Sequence, residues 1–274
     1  MTSARRSFPF APIFLFLVAV STLLPFVAIA SASLQPAGSI VRGISWPAEP
    51  AFGNFARAWT DGGFSTLFQS SGIVAFVVVP VGVLFACWAG YAVGTIDFRG
   101  RTLILGLFLL GLTLPYEAIV IPLYYGLRSV GLLDTYWALI LPLIGAFMPF
   151  GVFWMRAHFE SFPPSLIEAA RMDGANNWRI FWRILVPNSW GAITTLALLY
   201  FMWSWNQFLL ALILIQDPNR RTAPAGLGQF VTQYGKDVPL LSAATILVIL
   251  PVVVVFLIFQ RRIIQGFLAG TVKE

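Results

Sequence analysis

The chain has 274 residues, of which 58% are hydrophobic and 10% are charged, and its mean hydropathy is +0.83. Because soluble domains carry about 25% charged residues, this composition excludes an ordinary soluble protein and indicates an integral membrane protein. The formal net charge of +6 comes from basic residues dispersed along the chain, so it gives no reason to expect nucleic-acid binding.

Six apolar segments are long enough to cross a bilayer as helices, which takes about 20 residues each. The first exceeds the roughly 7–15 residues of a signal-peptide core, so we expect it to stay uncleaved despite the signal-peptidase-like Ala30-Ser31-Ala32. The predicted fold class is all-α, a polytopic membrane protein with six transmembrane helices: Phe10–Ala30, Gly72–Val93, Thr102–Leu127, Tyr136–Met155, Ala192–Ile215 and Ser242–Phe259.

Lysine and arginine residues predict the orientation of these spans. With a cytoplasmic N-terminus, eleven basic residues fall in inner segments and six in outer segments. The positive-inside rule then places both termini and the polar segment around Glu168 in the cytoplasm. The inner residues are Arg5, Arg6, Arg99, Arg101, Arg156, Arg171, Arg179, Arg183, Arg261, Arg262 and Lys273, and the outer ones are Arg42, Arg57, Arg128, Arg220, Arg221 and Lys236.

The third predicted span contains Glu117, the one carboxylate well inside an apolar segment. Ionisable groups at membrane depth are costly and tend to face a cavity or a partner, so Glu117 is a candidate for a translocation path. Structural pairing near the membrane interface is the alternative. Prolines in the third and fourth spans are expected to interrupt helical hydrogen bonding and to favour a bundle around an internal path: Pro115, Pro122, Pro142 and Pro149.

The polar segment between the fourth and fifth spans predicts a helix, a tight turn and a second helix. Pro163-Pro164 favours the helix start, Asp173-Gly174 favours a stop in which glycine takes the left-handed conformation, and Asn176 suits the next N-cap. In the first helix, one side carries Leu166, Ile167 and Ala170. In the second, an apolar stripe with helical spacing comprises Trp178, Phe181, Trp182 and Leu185, with Arg179 and Arg183 facing away.

The fifth predicted span carries aromatic rings beside amides: Trp203, Trp205, Asn206 and Gln207. Sugars stack their C–H faces on such rings and exchange hydrogen bonds with such amides. These residues are therefore candidates for a substrate path, and an aromatic belt at the membrane surface is the alternative.

The sequence contains no motif for nucleotide hydrolysis or for metal binding. A phosphate-binding loop needs G-x-x-x-x-G-K-[ST], and neither lysine, Lys236 or Lys273, stands in that context. The single histidine, His158, and the single cysteine, Cys87, are far apart, whereas metal sites need convergent ligands. We therefore expect no ATP hydrolysis, no metal site and no cofactor bound by this chain.

The polar segment resembles the cytoplasmic coupling segment of bacterial ABC importer permeases. That motif reads E-A-A-x-x-x-G followed, after a spacer, by I-x-L-P, and here only Val186 departs from it. The resemblance implies a pair of coupling helices that dock on a separate ATPase. The implied coupling residues are Glu168, Ala169, Ala170, Arg171, Asp173, Gly174, Ile184 and Pro187.

Two further stretches are similar to the carbohydrate-uptake, maltose-type branch of that family, in particular to the shorter of its two permease subunits. They are Trp205-Asn206 and the ending from Gln260 to Lys273. The resemblance implies that a C-terminal tail reaches the ATPase pair, with Gly266, Gly270 and Lys273 at the matching positions.

The same resemblance implies the partners of the chain. It implies a second, homologous permease subunit in a heterodimer, two ATPase subunits that bind ATP and Mg, an extracytoplasmic sugar-binding protein, and membrane lipid. The alternatives are an ABC permease for another small solute, a secondary transporter or channel, and a membrane-embedded enzyme. The last two leave the Glu168 segment unexplained or lack the acidic and histidine clusters that they need.

These observations predict four regions. Residues 1–9 form a cytoplasmic N-terminus, and residues 10–71 form the first transmembrane helix and an outer loop. Residues 72–262 form a permease core of five transmembrane helices that includes the coupling segment 159–187. Residues 263–274 form a cytoplasmic tail.

Overall fold

The computed structural model describes residues 10–232 and 235–269, with side chains up to Arg261. Its architecture is all-α, as predicted, apart from a two-stranded antiparallel hairpin of β1 (Val231–Thr232) and β2 (Gly235–Lys236). The helices are α1 (Ala11–Ser33), α2 (Gly53–Asp61), α3 (Phe64–Thr95), α4 (Arg101–Thr113), α5 (Val120–Ser129), α6 (Trp137–Glu160), α7 (Pro164–Met172), α8 (Asn177–Ile180), α9 (Val186–Asn188), α10 (Trp190–Trp205), α11 (Leu209–Leu214), α12 (Ala223–Gly226) and α13 (Val238–Ala269).

Four helices in the described part of the chain are long and apolar enough to cross a membrane unaided: Pro12–Ser33, Phe64–Thr95, Trp137–Glu160 and Val238–Arg261. Two bent pairs also qualify. Arg101–Thr113 with Tyr116–Ser129 bends by 96°, and Asn177–Asn188 with Trp190–Trp205 bends by 79°. Six spans, the predicted number, are reached when each bent pair counts as one span, although Asn177–Asn188 in the second pair belongs mostly to the predicted coupling segment.

The third predicted span, Thr102–Leu127, is broken at Pro115, one of the prolines expected to interrupt helical hydrogen bonding. α4 ends at Thr113, and the chain turns at Leu114-Pro115 into a 3-10 turn, Tyr116–Ile119, that leads to α5. The ring of Pro115 disfavours the helical conformation of the preceding residue, and Leu114 is extended with ψ of 123°. Of the four prolines expected to interrupt helical hydrogen bonding, Pro115 is the one at which a helix ends. Pro122 lies in the first turn of α5, and Pro142 and Pro149 lie inside α6.

The fifth span is also broken. The sequence predicts one segment, Ala192–Ile215, but α10 ends at Trp205 and α11 begins only at Leu209. The interruption covers Asn206, Gln207 and Phe208, where the polar residues of the span are concentrated. The polar residues that the sequence places near the middle of this span therefore lie at a break in the helix.

The described residues divide into two compact units. One holds the residues up to Ser65 together with Leu227–Leu250, and the other holds Thr66–Gly226 and the residues from Pro251 on. In the first unit, the buried Asn54 side chain ties α2 to the end of α1, because its amide donates to the carbonyls of Ser33 at 2.8 Å and Gln35 at 2.7 Å. Phe64 and Phe230 stack in the same unit, with centroids 6.3 Å apart.

The core of the second unit lies where α3, α6 and α10 approach closely. Tyr200 is fully buried and donates a hydrogen bond to the Phe147 carbonyl at 2.7 Å. Gly151 leaves room for this contact, since a β-carbon there would collide with the Tyr200 hydroxyl and with Ala86. Small residues allow membrane helices to pack at short range, and Gly90 serves the same purpose against Met155.

Asp134 organises the loops at the other end of that unit. Its carboxylate accepts hydrogen bonds from the backbone N–H groups of Gln216 at 3.0 Å and Asp217 at 2.9 Å. Arg220 donates to the Asp134 carbonyl at 3.0 Å, and the Asp134 N–H donates to the Leu214 carbonyl at 3.0 Å. Asp134 has φ of +58°, the only positive φ at a non-glycine residue of the described chain. These bonds join the α5–α6 loop to the segment after α11.

Candidate functional site

The first helix of the predicted coupling segment begins and ends where the sequence predicts. α7 starts at Pro164, after Pro163 in an extended conformation, and ends at Met172. Gly174 has φ of +77°. Its N–H donates to the Arg171 carbonyl at 3.0 Å, and the Ala175 N–H donates to the Ala170 carbonyl at 2.9 Å. These two bonds form a Schellman motif, so the left-handed glycine stop is confirmed.

The cap of the second helix is confirmed as well. The Asn176 side chain accepts a hydrogen bond from the Arg179 N–H at 2.9 Å. α8 is short and passes directly into a π-helical turn, Phe181–Leu185, and then into α9. Pro187 lies four residues after Arg183 and cannot donate the bond that an α-helix needs there, which accounts for the wider turn.

The predicted apolar stripe of this second helix is wrong in part. Phe181 and Leu185 are buried, together with Ile180, but Trp178 is 61% exposed and Trp182 is 37% exposed. Single-turn π insertions shift the rows of side chains on a helix, so a regular helical repeat does not describe this segment. Arg179 and Arg183 are exposed, as predicted.

Most of the predicted coupling residues lie on the surface. Ala170 is buried and Ile184 is half-buried, whereas the others are exposed: Glu168, Ala169, Arg171, Asp173, Gly174 and Pro187. Met172, which sequence reasoning passed over, is 89% exposed. Together with exposed Leu166 it adds apolar surface to the charged residues of α7. The segment thus exposes a mixed apolar and charged face on α7, which we call the docking face because the resemblance implies that the ATPase binds there.

The buried side of the segment packs on two spanning helices. The Tyr91 hydroxyl of α3 donates to the Asn177 carbonyl at 3.3 Å, and the Tyr91 and Phe181 rings lie 5.3 Å apart. Phe159 of α6 contacts Phe181 with centroids 6.2 Å apart in an edge-to-face arrangement. Tyr91 and Phe159 have no motif of their own, so the sequence did not reveal this link. Displacement of the coupling segment would therefore be transmitted to α3 and α6.

A group of ion pairs, which we call the Glu160 cluster, joins the same ends of the spans. It comprises Asp97, Arg101, Arg156 and Glu160. Arg101 of α4 lies 3.1 Å from Glu160 and 3.1 Å from Asp97, while Arg156 lies 2.9 Å from Glu160. Glu160 is the last residue of α6 and lies at the start of the predicted coupling segment. Sequence reasoning missed this cluster because Arg101 and Glu160 meet only in the folded chain.

The coupling segment enters α10 through a sharp bend in which side chains replace backbone donors. The Asn188 amide donates to the Ile184 carbonyl at 2.7 Å, and the Ser189 hydroxyl donates to the Leu185 carbonyl at 2.6 Å. Carbonyls at helix ends need such partners when they are shielded from water, and Ser189 is fully buried. The bend is therefore a bonded element of the fold.

The predicted substrate-path residues of the fifth span occupy the break between α10 and α11. Asn206 is exposed and Gln207 is half-buried. The Gln207 side-chain oxygen accepts from the Leu210 N–H at 3.2 Å, and its carbonyl accepts from the Thr222 hydroxyl at 2.6 Å. The break thus places two amide side chains beside non-helical backbone. At membrane depth, non-helical backbone is tolerated only where it is buried in protein or lines a water-filled cavity.

The two candidate tryptophans have different surroundings. Trp205 is buried and lies edge-on to Phe68 with centroids 5.5 Å apart. Trp203 is partly exposed and packs on Phe147 at 5.4 Å and Phe150 at 5.0 Å. Only Trp203 therefore presents ring surface outside the protein.

The break of the third span faces the break of the fifth. Tyr116 lies in the 3-10 turn after Pro115, beside the Gln207 side chain, and its shielded hydroxyl has no hydrogen bond of good geometry among the described residues. Glu117, next to it, is exposed. The Ser204 hydroxyl is also buried without a partner in the described part of the chain. The structure thus brings Glu117 and Gln207 into one neighbourhood, and it adds Tyr116, which the sequence did not single out.

The predicted tail contacts fall at the margin of what the structure describes. Gly266 lies within α13, in the stretch whose side chains are not described. Gly270 and Lys273 lie outside the described residues. Among the described residues, no three His, Cys, Asp or Glu side chains come together as a metal site requires.

Comparisons with known proteins agree with this geometry. A family described as "Binding-protein-dependent transport system inner membrane component" matches residues 79–268, more than half of the chain. The arabinooligosaccharides transport system permease protein AraQ of Halalkalibacterium halodurans is 33% identical over 93% of this chain and 93% of its own length. The trehalose transport system permease protein SugB of Mycobacterium tuberculosis is 34% identical over 94% of each chain.

A solved structure shares the fold. It is described as a bacterial ABC transporter involved in the import of the acidic polysaccharide alginate, and the TM-score is 0.80 at 23% identity. The likeness covers 95% of this chain and 99% of that chain. At this identity it shows the arrangement of the helices and nothing about the cargo.

Proposed function

The chain belongs to the family of binding-protein-dependent transport system inner membrane components and is a permease subunit of an ABC importer. We propose that it forms half of the translocation path for a carbohydrate or related polyol. The names of the relatives support this cargo class, since they specify arabinooligosaccharides and trehalose. The observation that carries the coupling role is the segment of α7, its Schellman turn and the capped second helix, which lies inside the family match.

The cargo path lies at the facing helix breaks of the third and fifth spans. Trp203 offers an exposed ring, and Asn206, Gln207 and Glu117 offer polar groups, which is the combination that sugars bind. The buried hydroxyl of Tyr116, beside the Gln207 side chain, adds a further hydrogen-bonding group to the same neighbourhood. Trp205, buried against Phe68, positions the break and does not touch the cargo.

The exposed apolar surface of the spans supports a second permease subunit. α4 fully buries none of its side chains, and the apolar stretch of α1 is exposed throughout. We assign these surfaces to a homologous permease subunit in a heterodimer and to lipid. An extracytoplasmic sugar-binding protein delivers the cargo, and two ATPase subunits bind below, so ATP and Mg belong to those subunits and this chain binds no cofactor.

The coupling residues act through a change in contacts. A two-state equilibrium moves only when a ligand binds its states unequally, and the docking face of α7 is the surface on which ATPase closure acts. Tyr91, Phe181 and the Glu160 cluster then carry the displacement to α3, α4 and α6. The topology that this requires has both termini and the Glu168 segment in the cytoplasm, and the tail residues Gly266, Gly270 and Lys273 against the ATPase pair.

The test is transport by the reconstituted importer with Gly174→Val or Glu168→Lys. Gly174→Val forces a branched side chain into a left-handed conformation, which costs at least about 1–2 kcal/mol, and it misplaces the turn, so ATP hydrolysis continues while sugar uptake falls at least tenfold. Glu168→Lys reverses a charge on the docking face and lowers ATPase retention. Sugar binding by the isolated binding protein stays unchanged in both cases.

A matched control separates coupling from strain. Gly131 also has a positive φ, +70°, and open space around its α-carbon, so Gly131→Val imposes similar strain away from the coupling segment and should preserve transport. The isolated parental chain, which lacks a phosphate loop, should hydrolyse no ATP. Parental transport rates in both coupling variants, at normal membrane levels, would contradict the assignment.

A further inference from the structure

The second helix of the coupling segment carries an exposed surface that ATPase coupling leaves unexplained. We call it the interfacial patch, and it consists of Trp178, Arg179, Trp182 and Arg183. The two tryptophan rings lie 5.7 Å apart and form one row. Each arginine directly follows one of these tryptophans in the chain and is exposed, and we call the two arginines the arginine row.

The tryptophan row continues the exposed aromatic surface of a spanning helix. Phe85 and Trp88 of α3 are exposed, and their ring centroids are 5.9 Å apart. Trp88 lies 6.1 Å from Trp178, and Trp178 lies 5.7 Å from Trp182. These separations are those of aromatic rings in contact. One unbroken aromatic strip thus runs from the span to the coupling segment.

The strip reaches the depth of the lipid headgroups. α3 has 32 residues, so it is about 48 Å long and exceeds the hydrocarbon core of roughly 30 Å. Trp88 stands about 10 Å before the end of α3 at Thr95, close to the boundary between acyl chains and headgroups. Trp178, packed on Trp88, lies at the same level, where tryptophan side chains concentrate in membrane proteins.

Among the described residues, no ion pair includes either member of the arginine row. Arg179 and Arg183 are both exposed. Basic residues at the cytoplasmic interface attract anionic lipids, and guanidinium groups bind phosphate oxygens with paired hydrogen bonds. An exposed arginine row beside an aromatic strip fits an amphiphile with an anionic head and an apolar tail.

We propose that the interfacial patch binds an anionic phospholipid, with its phosphate on the arginine row and an acyl chain along Trp88 and Phe85. The bound lipid holds the second coupling helix at the membrane surface while α7 follows the ATPases. The proposal requires the cytoplasmic placement of this segment and is independent of the cargo.

The test measures lipid retention by the purified importer complex with native mass spectrometry, using phosphatidylglycerol and phosphatidylcholine as probes. The parental complex should retain phosphatidylglycerol in preference to phosphatidylcholine. Arg179→Gln with Arg183→Gln should weaken phosphatidylglycerol retention by about tenfold to thirtyfold, since each basic residue contributes about a fivefold attraction near a charged lipid surface. Phosphatidylcholine retention should not change.

A control variant removes the same charge elsewhere. Arg42→Gln with Arg128→Gln neutralises two exposed arginines on the side predicted to be outer, and it should leave the lipid preference at the parental level. Equal losses in both double variants would overturn the proposal, because the effect would then follow net charge. Undiminished phosphatidylglycerol retention in Arg179→Gln with Arg183→Gln would overturn it as well.

If the Arg179→Gln, Arg183→Gln complex loses its ATPase subunits but keeps its lipid, the patch binds a protein partner. That outcome would also overturn the proposal. If the glutamine pair does not accumulate, Arg179→Lys with Arg183→Lys keeps the charge, and its lipid preference should persist and decline as salt is raised to about 0.5 M. A parental or lysine-pair complex without preference for phosphatidylglycerol would refute the proposal without any other variant.

Discussion

Two glycines illustrate how single residues serve this fold for different reasons. At Gly174 an added β-carbon would meet nothing within 4 Å, but φ is +77°, so backbone conformation demands glycine. At Gly151 the backbone is ordinary helix, but an added β-carbon would collide with the Tyr200 hydroxyl, so space demands it. Gly174 was identified by its turn signal, whereas Gly151 carries no local signal.

Gly151→Ala should destabilise the subunit by about 1–3 kcal/mol through overpacking. Tyr200→Phe should cost about 1 kcal/mol, because it removes the hydrogen bond to Phe147. The double variant should cost less than the sum of the two, since removal of the hydroxyl makes room for the methyl group. Unfolding of the purified complex by SDS measures these differences as a double-mutant cycle.

Gly145→Ala is the matched control on the same helix. Its α-carbon faces open space, so the better helix propensity of alanine should leave stability unchanged or raise it by up to about 1 kcal/mol. Additive effects of Gly151→Ala and Tyr200→Phe would show that the two residues do not compete for the same space.

At the scale of the elements, whether a proline ends a helix depends on the residues that surround it. Pro115 ends α4 and turns the third span, and Pro187 accompanies the π turn of the second coupling helix. Pro142 and Pro149 lie within α6 without ending it. At the second bend, Asn188 and Ser189 supply the donors that the backbone lacks. The bends therefore persist where side chains or neighbouring elements satisfy the freed carbonyls.

The Glu160 cluster should matter more for coupling than for stability. Partly exposed ion pairs contribute about 0–1 kcal/mol, so Glu160→Gln should shift unfolding little. Because Glu160 holds both Arg101 of α4 and Arg156 of α6, its loss should lower the number of sugar molecules imported per ATP severalfold. Simultaneous uptake and ATPase assays measure that ratio.

The control is Asp61→Asn, which breaks the exposed pair with Arg57 in α2 and should leave the ratio at its parental value. An unchanged ratio in Glu160→Gln would show that α4 and α6 move together without the cluster.

On the scale of the whole molecule, charge and hydropathy predict the topology, and the exposed apolar surface requires a neighbouring molecule. The described chain divides into two units, and large parts of α1 and α4 bury little within the chain itself. Such surfaces are stable only against lipid or another membrane subunit. The subunit is therefore best understood as one component of an assembly.

The topology prediction places Glu168 inside and Gln229 outside. In a Cys87→Ser background, Glu168→Cys should react with a membrane-impermeant maleimide only after permeabilisation, and Gln229→Cys should react in intact cells or spheroplasts. Both positions are exposed in the chain without its partners, so in membranes that lack the ATPase subunits failure to react reports sidedness. Labelling of position 168 from outside would invert the orientation derived from the eleven and six basic residues.

The sequence by itself determined the fold class, the number of spans and the local form of the coupling segment. These features depend on hydropathy over about 20 residues and on short-range backbone preferences at Pro164, Gly174 and Asn176. Both kinds of signal act between residues close in the chain, so one sequence suffices to show them.

Only the tertiary structure decided the 96° turn at Pro115, the exposure of Trp178 and Trp182, the Glu160 cluster and the meeting of Tyr116 with Gln207. Each depends on which residues distant in sequence come into contact. A proline ends a helix only where the surrounding protein satisfies the freed groups, and a tryptophan row turns outward only when a π turn and neighbouring packing set its direction. Local sequence patterns do not predict those contacts, because the contacts arise only when the spans pack together.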